Sequence, residues 1–314
     1  MQRKGVRSVV RSASLVPLML LLVACSATGG PPTPDPKAGA IPAPTGGSPA
    51  MLAIPASSEL ALGPNRFLFA LVDADNKPLA APDVPVHLLF YDEEVPKDSV
   101  AFEADSRFLW AVEDVTGLYA VDVAFPSAGR WGTRFNATFP DGTTKSAWLD
   151  YYVLAQPHTP AIGAQAPSVD TPTAADVAGD LTQLSTDKSP EPRFYQTSIA
   201  DALAAREPFV VAFATPGFCR SATCGPTLEV IKSVAKDYPD LTFINVEPYV
   251  MAMKDGTLQP VPDANGQLQS APWTDAWGLL SEPFVAVVDA TGAVRAKFEG
   301  SLAPEELKAA IEAL

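Results

Sequence analysis

The chain has 314 residues, of which 47% are hydrophobic and 18% are charged, enough apolar side chain for about two domains with cores of their own. Aspartate and glutamate number 36 against 22 lysines and arginines, so the formal net charge is −14 at pH 7. A surface this acidic excludes nucleic acid and anionic lipid as unaided binding partners.

The first 24 residues are predicted to be a signal peptide. Four basic residues and no acidic one precede a leucine-rich run at 15–24, which is too short to remain in a bilayer as a spanning helix. The run ends in Leu22-Val23-Ala24-Cys25, which resembles the lipobox of bacterial lipoproteins. The resemblance implies that Cys25 is acylated and anchors the mature chain on the extracytoplasmic face of the cell membrane. A plain secretory signal is the alternative.

Two proline-rich stretches are predicted to connect the folded parts. Residues 25–57 consist mainly of Pro, Gly, Ala, Thr and Ser and show no apolar periodicity, which is typical of an extended tether. At ~3.1 Å per residue in a polyproline conformation, such a tether would reach on the order of 100 Å. Residues 156–190 have a similar composition and are predicted to be a linker, with His158 solvated.

Residues 58–155 are predicted to form an all-β sandwich. About seven short apolar or alternating runs are separated by turn-forming residues, at the spacing expected of such a domain. The segment 117–131, which contains Tyr119 and Trp131, resembles a hairpin of small immunoglobulin-like domains in exported bacterial proteins. The resemblance implies a fold and no chemistry. His87 lies in a strand pattern and is predicted to be structural.

Residues 191–314 alternate helix and strand patterns before ending in a hairpin and a helix. Apolar strands are predicted at 209–213, 241–246, 284–288 and 294–298, and helices at 198–206, 227–238, 274–280 and 304–314. The segment 247–271 is predicted to be an irregular insertion. This order favours a β-α-β unit followed by an antiparallel hairpin, and therefore an α/β domain.

Two cysteines lie between the first of these strands and the helix that follows. The strand ends before Thr215-Pro216-Gly217, and Cys219 and Cys224 come next, ahead of Gly225-Pro226. If Cys25 is acylated, Cys219 and Cys224 remain as an even pair in an oxidising compartment, where disulfides persist. A thiolate at a helix start is stabilised by free backbone N–H groups and by the helix dipole. The stretch is therefore a candidate redox site.

Several motifs of the C-terminal part resemble the thioredoxin superfamily, and in particular its exported, membrane-anchored thiol-disulfide oxidoreductases. They are the strand before the cysteines, Cys224-Gly225-Pro226, Ser281-Glu282-Pro283 and the turn at 289–292. The resemblance implies a thioredoxin-like α/β domain, catalytic Cys219 and Cys224, and a cis peptide bond before Pro283 that faces them. It also implies substrate-binding positions around the pair, namely Pro216, Phe218, Pro226, Glu282 and Pro283.

The sequence departs from this family at two points. Four residues separate Cys219 from Cys224 where the family has two, so a disulfide requires a loop rather than a regular helix. Chain order and exposure favour Cys219 as the attacking thiol, whereas the helix start favours Cys224, and the choice stays open. The buried acid of the family falls at Ala212 by alignment, which makes a slow reductase, an oxidant or a structural disulfide more credible.

The predicted function is an oxidoreductase that acts on protein thiols or disulfides, with an unidentified redox partner and no cofactor or metal. The alternative is a binding or scaffold lipoprotein in which Cys219–Cys224 is a structural disulfide. A copper chaperone is disfavoured because residues 191–314 contain no histidine. Neither cysteine has both the upstream proline and the upstream hydroxyl residue of a peroxiredoxin. Four large side chains near the insertion could line a substrate groove or belong to the core, namely Met251, Met253, Trp273 and Trp277.

Overall fold

Strands dominate the architecture of the protein in a computed structural model, which describes residues 50–94 and 99–314. The predicted signal peptide, Cys25 and residues 25–49 of the predicted tether lie outside the described residues. Residues 50–94 and 99–314 belong to one compact unit. Within them, no helix is both long enough and apolar enough to cross a membrane.

The N-terminal half of the described chain folds into two four-stranded antiparallel sheets. One has the order β1-β2-β6-β5 and the other β4-β3-β7-β8. The strands are β1 (Leu52–Pro55), β2 (Gly63–Val72), β3 (Val86–Asp92), β4 (Phe102–Asp105), β5 (Arg107–Val112), β6 (Thr116–Phe125), β7 (Gly129–Thr138) and β8 (Thr144–Val153). Inward side chains of both sheets, including Phe69 and Phe135 with ring centroids 4.7 Å apart, form one shared aromatic core.

Tyr119 and Trp131 are both fully buried in this core. The Tyr119 hydroxyl donates to the Val84 carbonyl at 2.8 Å, and Trp131 Nε1 donates to the Ser127 carbonyl at 3.1 Å. Each polar tip is thereby paired where water is excluded, as a buried aromatic residue requires. Strand β1 falls inside the stretch predicted as a tether, because its pairing with β2 places Met51 in the core.

The C-terminal half has a four-stranded sheet of order β10-β9-β13-β14, in which only β9 and β10 are parallel. Its strands β9 and β13 are entirely buried, and alternate residues of β9 enter two different apolar clusters, one on each face. Burial on both faces explains their continuous apolar sequences. The elements are α1 (Ile199–Ala205), β9 (Phe209–Phe213), α2 (Cys224–Ala235), β10 (Thr242–Val246), β11 (Met251–Lys254), β12 (Thr257–Pro260), α3 (Pro272–Ala276), β13 (Phe284–Val288), β14 (Val294–Glu299) and α4 (Pro304–Glu312).

The predicted fold class, an immunoglobulin-like sandwich joined to a C-terminal α/β thioredoxin-like domain, is wrong. The described chain is mostly β, with 38% strand and 17% helix, and no α/β thioredoxin-like domain is evident. Its four α-helices have only 5 to 12 residues. The prediction assumed that the alternating helices and strands form a sheet covered by layers of helices. Two of the helices are too short to cover a sheet, and the insertion forms an antiparallel hairpin, β11–β12.

Residues 156–190, predicted as a linker, pack against the rest of the described chain. Thr159, Ala166 and Thr171 are buried, and Gln165 forms a β-bridge with Ala293. The ring of His158, predicted to be solvated, is 60% exposed and its Nδ1 lies 3.0 Å from Glu59 Oε2. These contacts give the backbone N–H and C=O groups of the segment hydrogen-bond partners. The segment therefore packs in an ordered way although its sequence has little apolar periodicity.

An ion cluster around the buried carboxylate of Glu306 joins the first sheet to the C-terminal part. Arg66 Nε lies 2.8 Å from Glu306 Oε1, and the two side chains are only 8% and 9% exposed. Arg66 also donates to the Ser301 carbonyl at 2.8 Å, and Arg107 pairs with the same carboxylate of Glu306. The charges are thus paired and hydrogen-bonded, the condition under which charges are tolerated away from water.

Candidate functional site

The candidate site is the loop that leads from β9 into α2. Cys219 and Cys224 form a disulfide with Cα atoms 5.9 Å apart, within the range that a disulfide spans. Residues 219–223 are not helical, and α2 begins at Cys224 itself. Ala222 takes a positive φ of 61°, which turns the loop back toward the helix. The wide spacing between the cysteines is therefore accommodated by a loop, as the helical geometry demands.

The two cysteines differ in exposure and in hydrogen bonding. Cys224 is fully buried, whereas Cys219 is half-buried. The Cys224 backbone N–H donates to Cys219 Sγ at 3.1 Å, and Ser221 Oγ lies 3.3 Å from the same sulfur. The sulfur that solvent or another thiol can reach is thus the one that accepts the hydrogen bond from the Cys224 N–H.

Glu282, one of the predicted substrate-binding residues, lies against this loop and precedes Pro283. The Glu282–Pro283 peptide bond is cis and Pro283 is buried. Glu282 Oε1 accepts from the Arg220 backbone N–H, and the Glu282 carbonyl accepts from Ser221 Oγ, both at 3.1 Å. The loop is therefore attached to the start of β13 on the side of Cys219.

The other predicted substrate-binding residues lie at the two ends of the loop. Pro216 and Phe218 belong to a tight turn in which the Phe218 N–H donates to the Thr215 carbonyl, and both side chains are half-buried. Pro226 lies in the first turn of α2 and is exposed. All three stay predicted contacts for a substrate chain. Sequence reasoning missed Ser221, whose Oγ lies 3.3 Å from Cys219 Sγ.

A buried carboxyl group lies near the loop, but not at the position inferred by alignment. Ala212 is inside β9, whereas Glu247 follows β10 and is only 4% exposed. Glu247 Oε1 accepts from the Thr186 N–H at 2.6 Å and from the Thr186 hydroxyl at 2.7 Å. The Thr186 hydroxyl oxygen in turn accepts from the Gly217 N–H at 2.9 Å. Glu247 is therefore linked to the cysteine loop by two hydrogen bonds.

Burial raises the pKa of Glu247, and the hydrogen bonds from Thr215 and Thr186 only partly oppose that rise. One sequence signal could have located this acid. Parallel strands end at the same edge of a sheet, so the residue after β10 must lie beside the residue that follows β9.

Burial also raises the pKa of Tyr249, and the neighbouring Glu282 carboxylate acts in the same direction.

The large side chains near the insertion do not line one groove. Trp277 is fully buried against Phe213, with ring centroids 5.3 Å apart, whereas Met253 on the hairpin is 44% exposed. Trp273 Nε1 donates to the Glu247 carbonyl at 2.7 Å. In residues 50–94 and 99–314, no cluster of three or more His, Cys, Asp or Glu side chains is placed to hold a metal ion.

Comparison with known proteins gives no family for this chain. No protein-family model matches it, and no curated protein sequence matches it. Among solved structures, MtrC from Shewanella baltica OS185 is similar at 11% identity, with a TM-score of 0.23. The match covers 78% of this chain and 51% of the MtrC chain, so this chain spans about half the length of that structure. We draw no conclusion on fold or function from this likeness.

Proposed function

We propose that the protein is a thiol-disulfide oxidoreductase that acts on protein thiols or disulfides through Cys219 and Cys224. One observation supports this function above the others, namely the half-buried Cys219 sulfur that accepts a hydrogen bond from the N–H of the fully buried Cys224. A donor of this kind stabilises negative charge on Cys219, as a reactive thiolate or leaving group requires.

The exchange takes place in two balanced steps. A substrate thiolate attacks Cys219 Sγ in line with the disulfide, a new sulfur–sulfur bond forms, and Cys224 leaves as a thiolate. A second substrate thiolate then attacks the mixed disulfide and releases Cys219. The substrate is oxidised to a disulfide, and the protein pair takes up its two electrons. In the reverse direction, the Cys219 thiolate attacks a substrate disulfide and Cys224 resolves the mixed disulfide.

Ser221 and Glu282 are positioning residues in this proposal. The Ser221 hydroxyl lies between Cys219 Sγ and the Glu282 carbonyl, while the Glu282 carboxylate receives the Arg220 N–H. These bonds hold the loop so that Cys219, rather than Cys224, faces the surface. The Glu282→Gln variant should leave the disulfide formed but slow exchange with a substrate thiol, because it weakens the charge-assisted bond to Arg220.

A reduction potential combined with a trapping experiment tests the function. The pair is equilibrated with glutathione or dithiothreitol buffers, and a redox-active pair is expected to titrate above about −300 mV. Cys224→Ser should retain a partner protein as a mixed disulfide at Cys219, detected by mass spectrometry. Cys219→Ser is the matched control and should retain none. A potential below about −300 mV together with no trapped partner contradicts the proposal.

A structural disulfide in a binding or scaffold protein is the second candidate. The bonds from Arg220 and Ser221 to Glu282 favour it, because they fix the loop as a rigid element of the surface. If this candidate is right, both cysteine variants lose stability to a similar extent, and neither forms a mixed disulfide with a partner. If the oxidoreductase is right, the two variants differ in trapping although they share the loss of the disulfide.

The proposed location is the extracytoplasmic face of the bacterial cell membrane, with attachment through a lipid on Cys25. The lipobox-like Leu22-Val23-Ala24-Cys25 supports it. Two or more acyl chains hold a protein firmly, since each buried methylene contributes ~0.8 kcal/mol. Expression in a bacterium with labelled palmitate tests this location. The label should enter the native chain and be absent from Cys25→Ser, and a labelled Cys25→Ser chain would contradict it.

A further inference from the structure

The hydroxyl group of Ser221 has three hydrogen-bond neighbours in and beside the cysteine loop. Its Oγ lies 3.3 Å from Cys219 Sγ, 3.1 Å from the Glu282 carbonyl oxygen and 2.7 Å from Thr223 Oγ1. A serine hydroxyl has only one hydrogen to donate, although its two lone pairs also accept. Cys219 Sγ and the Glu282 carbonyl therefore compete for the same hydrogen.

In the disulfide, the Glu282 carbonyl is the stronger of the two acceptors. A disulfide sulfur is neutral and a weak acceptor, so the Ser221 hydrogen goes to the carbonyl oxygen. The Thr223 hydroxyl then donates to Ser221 Oγ, because the only hydrogen of Ser221 is already in use. In the oxidised protein, Ser221 thus attaches the loop to the residue before Pro283, and Cys219 Sγ keeps the backbone N–H of residue 224 as its donor.

Reduction of the pair reverses the order of the two acceptors. In the proposed exchange, a substrate dithiol becomes a disulfide and its two electrons enter the Cys219–Cys224 bond. One of its two protons stays on Cys224, the other goes to solvent, and Cys219 is left as a thiolate. Hydrogen bonds to a charged acceptor are roughly twice as strong as neutral ones. Ser221 is exposed and already close to this sulfur, so rotation of the hydroxyl alone redirects the hydrogen.

We propose that Ser221 is a hydrogen-bond switch that follows the redox state of the cysteine pair. Its hydroxyl donates to the Glu282 carbonyl in the disulfide and to the Cys219 thiolate in the reduced pair. The inference rests on the proposed function in one respect, since it requires Cys219 and Cys224 to be reduced and oxidised reversibly. It assigns Ser221 a role beyond holding the loop, namely that of a second donor to the attacking sulfur.

The switch also changes how the loop is attached. Two hydrogen bonds join the loop to Glu282 in the disulfide, one from the Ser221 hydroxyl and one from the Arg220 N–H. After reduction only the bond from Arg220 remains. Stabilisation of the thiolate is therefore coupled to a looser attachment of the loop.

Other charged and titratable groups surround the pair without depending on Ser221. The Arg220 side chain is exposed beside the attacking cysteine, and the Glu282 carboxylate accepts from the Arg220 N–H. Tyr249 interacts with both of these charges. The buried Glu247 carboxyl is linked to the other end of the loop. Substitutions at Ser221 alone leave all four groups in place.

Alkylation of Cys219 at a series of pH values tests the switch. Every chain carries Cys224→Ser, which keeps the backbone N–H at position 224, and the reaction of Cys219 with iodoacetamide is followed by mass spectrometry. Ser221→Ala should raise the midpoint of the pH–rate profile by about one pH unit and slow alkylation at pH 7 about threefold, because less of the thiol is ionised. At alkaline pH, where the thiol is fully ionised, the rates should agree within about threefold.

Two control variants separate the hydroxyl from general effects on the loop. Ser221→Thr keeps the hydroxyl and should restore the midpoint of the chain with Ser221. Ser146→Ala, at an exposed position on β8, should leave the midpoint unchanged. An unmoved midpoint in Ser221→Ala overturns the proposal, and so does a shift that Ser221→Thr fails to restore. A change in the alkaline rate alone reports access to the sulfur and overturns it as well.

The reduction potential of the intact pair provides a second reading. Ser221→Ala should make the reduced form about fivefold less favoured, which lowers the potential by ~20 mV. An unchanged potential contradicts the switch. The two proposals also fail separately. A shifted profile without a protein trapped by Cys224→Ser supports the switch and contradicts the exchange function, whereas a trapped protein with an unmoved midpoint contradicts the switch alone.

Discussion

The backbone N–H of the buried Cys224 donates a hydrogen bond to Cys219 Sγ over 3.1 Å. A donor at this position stabilises negative charge on the more exposed sulfur. In the proposed exchange, this relationship favours Cys219 as the attacking thiol, a choice that the sequence left open. Cys224 is the first residue of α2, so the donor N–H belongs to the start of the helix. The sulfur that accepts this hydrogen bond belongs to Cys219, in the loop before the helix.

Alkylation of the Cys224→Ser and Cys219→Ser variants, followed at the remaining cysteine of the pair, tests this assignment. Cys219 in the Cys224→Ser variant should react with iodoacetamide at least tenfold faster than Cys224 in the Cys219→Ser variant, because Cys224 is fully buried. The rates are measured by mass spectrometry in native buffer. In 6 M guanidinium chloride, which denatures the chain, the two rates should converge. Equal rates in native buffer would contradict the assignment.

Gly217 and Gly225 provide a matched pair of substitutions in the cysteine loop and at the start of α2. A Cβ atom on Gly217 would lie 2.8 Å from Thr186 Cβ, whereas one on Gly225 meets nothing within 4 Å. Gly217→Ala should therefore lower the free energy of unfolding by about 1–3 kcal/mol through overpacking. Gly225→Ala should raise it by up to about 1 kcal/mol, because alanine favours a helix. Urea denaturation measures both, and a loss of stability in Gly225→Ala alone would refute the geometry.

Glu306 is predicted to be a major contributor to the contact between the first sheet and the C-terminal part. The Glu306→Gln substitution removes the negative charge and leaves the Arg66 guanidinium, only 8% exposed, without its counter-ion. Loss of one partner of a buried pair typically costs about 3–5 kcal/mol. The control is Lys308→Ala, whose partner Asp237 is exposed and whose ion pair is screened by solvent. Thermal unfolding should show a large loss for the first variant and almost none for the second, and equal losses would argue against a buried pair.

Acid is expected to weaken the turn at 289–292 in a defined range of pH. The Thr291 hydroxyl, together with backbone N–H groups and Arg295, lowers the pKa of Asp289 from 3.8 to about 2. A lowered folded-state pKa contributes stability above the unfolded value of 3.8, and the contribution is lost as pH falls toward 2. Asp289→Asn should therefore be less stable at neutral pH and lose less stability between about pH 4 and pH 2.

Chemical denaturation across this pH range measures the effect. Asp240→Asn, at an exposed position near the start of β10, is the control and should follow the pH dependence of the unaltered protein. If Asp289→Asn also follows it, the hydrogen bonds of Asp289 do not stabilise its charged form.

The apolar sequences by themselves determined where several strands begin and end. The predicted strands at 209–213 and 284–288 have the bounds of β9 and β13, because a valine-rich run of five apolar residues between turn-forming residues is typical of a strand buried on both faces. The sequence also determined that Cys219 and Cys224 must meet through a loop, since their spacing places them on different sides of a helix.

Only the tertiary structure decided which layers these strands form and what surrounds the cysteines. The predicted α/β domain was wrong because the sequence does not tell whether short helices cover a sheet, and here strands and a hairpin account for most of the chain. Glu247 belongs to a segment without clear periodicity, and its link to Gly217 runs through Thr186, 61 residues away in the chain. Contacts between distant segments depend on packing that no local pattern encodes, which is why the buried acid emerges only in the folded protein.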